Sequence, residues 1–103
     1  MYIAECGGMT EYFRRQLRDR GVVFPLGFDI AVSTEDDLYL FYKGEGSEQI
    51  RVCEDAKFDT GTHLCGTIDV EKHDLDHIAS WVQKTIHAIM EKLYRLNPQL
   101  VVV

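Results

Sequence analysis

DLDHIASWVQKTIHAIMEKLYRL, residues 74–96, is the stretch that decides the fold. Its apolar residues recur with the period of an α-helix and fall on one stripe, while the opposite side is polar. Asp74 is a good N-cap, and Asn97-Pro98 ends the helix because the residue before proline avoids helical backbone. We therefore predict a long helix over 74–96 with one face buried. The stripe consists of Leu75, Ile78, Ala79, Val82, Ile86, Ile89, Met90, Leu93 and Leu96.

The chain before this helix contains a series of apolar and aromatic segments that predict strands. FDIAVS at 28–33 alternates in polarity, and LYLFYK at 38–43 is rich in the aromatic residues that strands favour. QIRVC at 49–53 and LCGTIDV at 64–70 follow. Because the links are short, we predict that these segments form a four-stranded antiparallel meander.

The last of these strands has its apolar residues at alternate positions. Leu64, Gly66, Ile68 and Val70 are spaced by two, so we place them on the face that packs against the long helix. Thr67 and its polar neighbours then lie on the other face.

A shorter helix is predicted near the start of the chain, over 9–20. Thr10 is its predicted N-cap, and Gly21 supplies the left-handed exit. The whole is an α+β fold: a short N-terminal helix, the four-stranded meander, and the long helix packed on one sheet face. Because 103 residues suffice for one domain, we treat 1–103 as one unit, in which the apolar tail 99–103 adds an edge strand or pairs with another copy.

Composition places the chain among ordinary globular proteins, with 46% hydrophobic and 27% charged residues. No apolar run approaches the ~20 residues of a membrane span, and the first residues lack the apolar region of a secretory signal. We therefore expect a cytoplasmic protein. The cysteines Cys6, Cys53 and Cys65 fit neither a disulfide framework nor a zinc pattern, although pairing of Cys53 with Cys65 stays open.

The formal net charge of −6 argues against nucleic acid as a general partner, since a negative field repels phosphate backbones. Arginines crowd the first predicted helix, where we interpret them as a solvated face. Its members are Arg14, Arg15, Arg18 and Arg20.

The triplet Asp59-Thr60-Gly61 resembles the active-site signature of retroviral-type aspartic proteases. Those enzymes place the aspartate after two apolar residues at the end of a strand, whereas Ala56-Lys57-Phe58 precede it here in a hydrophilic loop. The long helix that follows leaves no room for the rest of a protease sheet. We therefore interpret the triplet as a turn, in which Asp59 caps its own backbone and Gly61 takes a positive φ.

Three residues are candidates for ligand binding or chemistry: His63, Cys65 and His77. His63 and Cys65 are spaced by two on a predicted strand, as a nucleophile and its base or two zinc ligands would be. His73 and His77 have the spacing of metal ligands on a helix, but the predicted helix starts after His73. We predict no metal site, no cofactor and no catalytic residue.

The strand at 38–43 is apolar on both faces, which is the strongest indication of an interaction surface. Tyr39 and Phe41 point away from the face that we assign to the long helix. Either the first helix, the connector VVFPLGF at 22–28 or the tail covers them within one subunit, or they form an interface, where aromatic residues are favoured. The candidate interface residues are Tyr39, Phe41, Trp81, Leu100 and Val102.

These features favour a small acidic binding module over an enzyme. The chain resembles small acidic type III secretion chaperones loosely, in its size and in helices lying on a sheet, but lacks their helix within the strand series. We expect a non-enzymatic protein-binding, inhibitor or chaperone-like module that forms a homodimer, of the type that phages and mobile elements often encode. The alternative is a small-ligand-binding protein or minor enzyme with a pocket between sheet and helix.

Overall fold

The structure is a computed structural model, and it describes residues 2–43, 51–52 and 62–96. The described chain has an α+β arrangement, in which four strands lie in sequence between two helices and a short strand precedes the first helix. Their bounds are β1 Tyr2–Ile3, α1 Gly7–Asp19, β2 Phe28–Val32, β3 Asp37–Lys43, β4 Arg51–Val52, β5 Thr62–Asp69 and α2 Leu75–Leu96.

Three of the predicted strands form one antiparallel sheet with the order β2-β3-β5. The predicted four-stranded meander is wrong, because β4 does not lie between β3 and β5. β3 pairs with β5 directly, and β4 pairs in parallel with β1, through Tyr2 with Arg51 and Ile3 with Val52. Of the predicted strand 49–53, the structure describes residues 51–52, which form β4. The apolar pattern does not specify the partner of β4, which lies at the start of the chain.

A β-bulge shifts the first part of β5 out of the predicted alternation. Gly66 pairs with Leu40, and Leu64 pairs with the next residue of β3, Phe41, so Cys65 is the extra residue of the bulge. Leu64 therefore packs on the sheet face away from the helices, whereas Cys65 packs on the helix face. The prediction that Leu64 shares the face of Gly66 is wrong for this reason.

Both helices cover the same face of the sheet and bury the main core with it. α1 packs on β2 and α2 packs on β5, and the two helices also contact each other. The buried core residues are Phe13, Leu17, Val22, Phe28, Ile30, Val32, Leu38, Leu40, Ile68, Val70, Ile78, Ala79, Val82 and Ile86. Burying each large side chain stabilises the fold by roughly 1.5–3 kcal/mol before the entropy of ordering it is subtracted.

The long helix follows its predicted bounds closely. α2 begins at Leu75, and the carboxylate of Asp74 accepts a hydrogen bond of 2.7 Å from the amide of His77, as an N-cap does. The predicted stripe supplies Ile78, Val82 and Ile86 to the core. The prediction of a C-terminal helix that covers one face of the sheet is confirmed.

The first helix begins earlier than predicted, at Gly7, and Thr10 is not its N-cap. Thr10 lies inside the helix, where its buried hydroxyl donates to the carboxylate of Glu5 at 3.0 Å and accepts from the amide of Val32 at 2.8 Å. The C-terminal end agrees with the prediction: Gly21 has a φ of 87°, and the amide of Val22 bonds to the carbonyl of Leu17.

A small second cluster covers the other face of the sheet. Ile3, Ala31 and Phe41 are buried there, with Tyr39 and Leu64 partly buried at its margin. Ile3 shares this buried cluster with Phe41 and comes from outside the three-stranded sheet. It belongs to none of the three segments that the sequence suggested as a cover.

No helix of the described chain combines the length and the apolar character that crossing a membrane requires.

Candidate functional site

The predicted interface residues that the structure describes lie on two opposite sides of the sheet. Phe41 is 1% exposed in the cluster with Ile3, and Tyr39 is partly buried on the same side of the sheet. Trp81 is partly buried on the opposite side, against the main core. Tyr39 and Trp81 therefore do not share a face, and their role in an interface stays a prediction. Leu100 and Val102 lie outside the described residues, as do Cys53 and Asp59 with its D-T-G triplet.

Trp81 packs over the middle of β5. A Cβ atom built on Gly66 would lie 2.8 Å from Cζ2 of the Trp81 ring, a separation that real side chains do not tolerate. The methyl group of Thr85 lies near the same glycine. Gly66 thus allows α2 to approach β5 closely, and the Trp81 ring lies beside the outer strand of the sheet.

The candidate nucleophile is poorly suited to its chemistry. Cys65 is half-buried, and burial raises the pKa of its thiol to about 11, so the reactive thiolate is scarce near neutral pH. Its Sγ lies 3.8 Å from the backbone carbonyl of His63, and the His63 side chain is exposed opposite Tyr42. This arrangement does not activate the thiol.

The histidines near the start of α2 contact each other and not the candidate thiol. The rings of His73 and His77 stack at a centroid distance of 4.4 Å, although His73 precedes the helix as predicted. Among the described residues, no group of three or more His, Cys, Asp or Glu side chains is placed to hold a metal ion. No hydrogen bond or ring contact of those residues joins His77 to His63 or Cys65.

One end of the sheet gathers acidic side chains around the turn between β2 and β3. The hydroxyl of Ser33 accepts hydrogen bonds from the amides of Glu35 and Asp37, each at 3.2 Å, which fixes the predicted turn. Asp36 lies between them with a φ of 63°, a left-handed conformation that aspartate tolerates better than most residues. The turn therefore holds three consecutive carboxylates in a defined conformation.

The end of β5 brings further carboxylates to the same place. Asp37 of β3 lies directly opposite Asp69 of β5, and the amide of Val70 donates to the carbonyl of Asp36 at 3.0 Å. Glu71 follows, and its amide is held by the carboxylate of Asp69 at 2.9 Å. We call this group the acidic end of the sheet; it consists of Glu35, Asp36, Asp37, Asp69 and Glu71.

Repulsion between neighbouring carboxylates shifts the pKa of Glu71 in the acidic end. The charge of Asp36 and a hydrogen bond between the two carboxyl groups raise the pKa of Glu71 above its ordinary value. Burial, followed by the charges of Asp37 and Glu35, raises the pKa of Tyr39. Placing like charges directly opposite on neighbouring strands disfavours folding, so this arrangement is not explained by stability.

The sequence prediction missed the acidic end because of the misplaced strand. With 49–53 inserted between 38–43 and 64–70, the segments 33–37 and 69–71 would be two strands apart. Direct pairing of β3 with β5 brings them together. The sequence does show carboxylates at the start of β3 and at the end of β5. They indicate a common site only when the antiparallel pairing of these two strands is known.

Comparisons of the chain with protein-family models, with curated proteins and with solved structures gave no match. The candidate surfaces are therefore argued from the chain's own residues.

Proposed function

We propose that this chain is a small non-enzymatic protein-binding module that acts as a homodimer and presents the acidic end of its sheet to a basic partner. The observation that carries the proposal is the convergence of five carboxylates from two segments, at 35–37 and 69–71, on one end of a well-packed sheet. A partner with lysine or arginine side chains would relieve their repulsion and be attracted to them from a distance.

Two further observations support a binding role. The turn that carries Glu35 and Asp37 is fixed by Ser33, so the backbone that carries these carboxylates needs little ordering when a partner binds. Tyr39 lies next to this turn on β3 and is partly buried, which supplies an aromatic group beside the charges. Aromatic residues surrounded by polar ones are typical of binding surfaces.

The test uses the tagged chain expressed in its native host. The double variant Asp36→Asn/Glu71→Gln removes two charges from the acidic end, and asparagine also tolerates the left-handed backbone of Asp36. The control Asp19→Asn/Glu91→Gln removes two charges from exposed positions on the helices. We expect a basic partner to bind both the wild type and the control and to be released by salt. The same partner should not bind Asp36→Asn/Glu71→Gln. Equal recovery with both variants would contradict the proposal.

The alternative function, small-ligand binding or catalysis at His63, Cys65 and His77, depends on a reactive thiol. We expect Cys65 to alkylate slowly near neutral pH and to gain reactivity only as the pH approaches its pKa of about 11. Alkylation with iodoacetamide over a pH series, read by peptide mass mapping, separates Cys65 from the other cysteines. Reaction at neutral pH as fast as that of an unfolded control would favour the alternative.

A further inference from the structure

The two outer strands of the sheet, β2 and β5, differ in whether the backbone amides that point away from the sheet have hydrogen-bond acceptors. In β2, each amide that points away from β3 already has an acceptor within the chain, so this edge is closed to another strand. Arg14 holds the side chain of one acceptor in place through a bond of 3.2 Å to Asp29. The donor and acceptor pairs are Phe28 N to Pro25 O at 3.0 Å, Ile30 N to Asp29 Oδ1 at 2.8 Å, and Val32 N to Thr10 Oγ1 at 2.8 Å.

The segment before α1 closes the same edge further. The amide of Cys6 donates to the carbonyl of Val32 at 2.8 Å, and the amide of Thr34 donates to the carbonyl of Ala4 at 2.8 Å. An added strand would have to displace these bonds as well as those of the side chains.

The outer edge of β5 lacks such partners among the described residues. The amide of Val70 bonds to the carbonyl of Asp36 and therefore points toward β3. Because alternate amides of a strand point to the same side, the amides of Gly66 and Ile68 also face β3. The amides of Thr67 and Asp69 consequently face away from the sheet. In the described part of the chain, β3 is the strand that pairs with β5, and no hydrogen bond from these two amides is found.

Among the described residues, the two ends of this edge differ in charge: carboxylates gather at one end, and a lysine lies near the other. Asp69 and Glu71 lie at one end, next to the rest of the acidic end. His63 lies at the other end, and the exposed Lys43 pairs with the adjacent Thr62. When two copies of β5 lie antiparallel, the acidic end of each copy meets the end of the other that carries the lysine and the histidine. A parallel arrangement would place five carboxylates against five.

We propose that the edge of β5 pairs antiparallel with the same edge of a second copy, which joins the two three-stranded sheets into one continuous sheet across a two-fold axis. This inference deepens the homodimer part of the proposed function and rests on it. The outward amides of Thr67 and Asp69 bond to carbonyls of the partner. Trp81, which lies on Gly66 beside this edge, flanks the new strand pair together with its copy.

The sharpest test replaces Thr67 by proline. Because the amide of Thr67 does not bond to β3, Thr67→Pro keeps the ladder within the chain and removes a donor only from the outer edge. Thr67→Lys is a second variant that keeps the amide and folds because the side chain is exposed, but sets two like charges near the two-fold axis. Thr67→Val is the matched control, since it retains the amide and the shape of the side chain.

Light scattering after size-exclusion chromatography gives the mass of each variant, and circular dichroism verifies the fold. The wild type and Thr67→Val are expected to be dimers, whereas Thr67→Pro and Thr67→Lys associate at least about 100-fold more weakly. A monomeric wild type, or a wild type that gains mass only with a different protein, overturns the inference.

Failure of the inference can be told from failure of the proposed function. Dimers of folded Thr67→Pro and Thr67→Lys would mean that the copies meet through another surface, which overturns the edge pairing and leaves a homodimeric module standing. Partner binding at the acidic end is measured separately with Asp36→Asn/Glu71→Gln, and the mass of this variant is measured too because Glu71 also lies near the proposed strand pair. A variant that is still a dimer and still binds the basic partner would contradict the proposed function and leave the edge pairing standing.

Discussion

The two edge strands of the sheet, β2 and β5, differ in where their outward amides find acceptors. In β2, the amides of Ile30 and Val32 donate to the side chains of Asp29 and Thr10, so the edge is satisfied within the chain. In β5, the corresponding amide of Thr67 has no such acceptor among the described residues. The difference teaches that closing an edge takes specific acceptors. The described residues supply them for β2 and not for β5, and the proposed pairing with a second copy rests on this difference.

The largest expected effect comes from opening the closed edge at Thr10. Thr10→Val keeps the shape of the side chain but leaves the buried carboxylate of Glu5 and the amide of Val32 without the hydroxyl. We expect this variant to lower the free energy of unfolding by about 3 kcal/mol, because buried polar groups without partners are costly. Urea denaturation measures the change.

The matched control, Thr10→Ser, retains the hydroxyl and should lose only about 1 kcal/mol from the deleted methyl group. At the outer edge of β5, Thr67→Val should change the free energy of unfolding by less than about 0.5 kcal/mol, because Thr67 is exposed. Equal losses for Thr10→Val and Thr67→Val would show that the two edges do not differ as described.

The next effect concerns the contact between β5 and α2. Gly66→Ala introduces a Cβ atom 2.8 Å from the ring of Trp81, so we expect a loss of about 1–3 kcal/mol in the free energy of unfolding. Gly8→Ala, where a Cβ meets nothing within 4 Å, is the control and should stabilise the helix slightly. A thermal or urea denaturation series measures both.

The clash has a specific partner, which allows a second control. In a Trp81→Leu background, Gly66→Ala should cost less than it does in the wild type, because the ring is gone. A cost that is the same in both backgrounds would mean that the loss arises from the backbone of β5 and not from the contact with α2.

A smaller effect is expected where β3 and β5 place like charges opposite each other. Asp37→Asn removes the charge that faces Asp69 and should raise the free energy of unfolding by about 0.5 kcal/mol. Glu91→Gln, on the exposed side of α2, should leave stability almost unchanged. If Asp37→Asn destabilises the protein instead, the acidic end contains a stabilising contact of Asp37 that the described residues do not show.

The smallest effect is the pH dependence contributed by Glu71. Its pKa is raised in the folded state, chiefly by the charge of Asp36, so the folded protein binds the proton more tightly than the unfolded chain. The group's contribution therefore favours folding at acidic pH and is lost as the pH rises through its folded pKa. Glu71→Gln should flatten this part of the curve of melting temperature against pH. An unchanged curve would contradict the assignment.

The helices and the sheet face of the main core were predictable because they follow from local periodicity. The stripe that includes Ile78, Val82 and Ile86 predicts α2, and Gly21 followed by Val22 predicts the end of α1. These signals depend on neighbouring residues only.

The remaining features depend on contacts between distant segments. The pairing of β4 with β1 joins the middle of the chain to its start, and the bulge at Cys65 adds one residue whose effect shows only against β3. Thr10 has the side chain of an N-cap, but its hydroxyl is used between Glu5 and Val32 instead. The acidic end and the open edge of β5 both follow from this non-local pairing, so the candidate surfaces were not predictable from pattern alone.

Amide hydrogen exchange at the two edges tests the central claim most directly. In the wild type, the amides of Ile30 and Val32 should be protected to the same extent at low and high protein concentration, since their acceptors belong to the same chain. The amides of Thr67 and Asp69 should exchange rapidly at low concentration and become protected as dimers form. Two results would contradict the account. One is protection of the Thr67 and Asp69 amides that does not change with protein concentration, and the other is rapid exchange of these amides in a protein whose mass shows that it is a dimer.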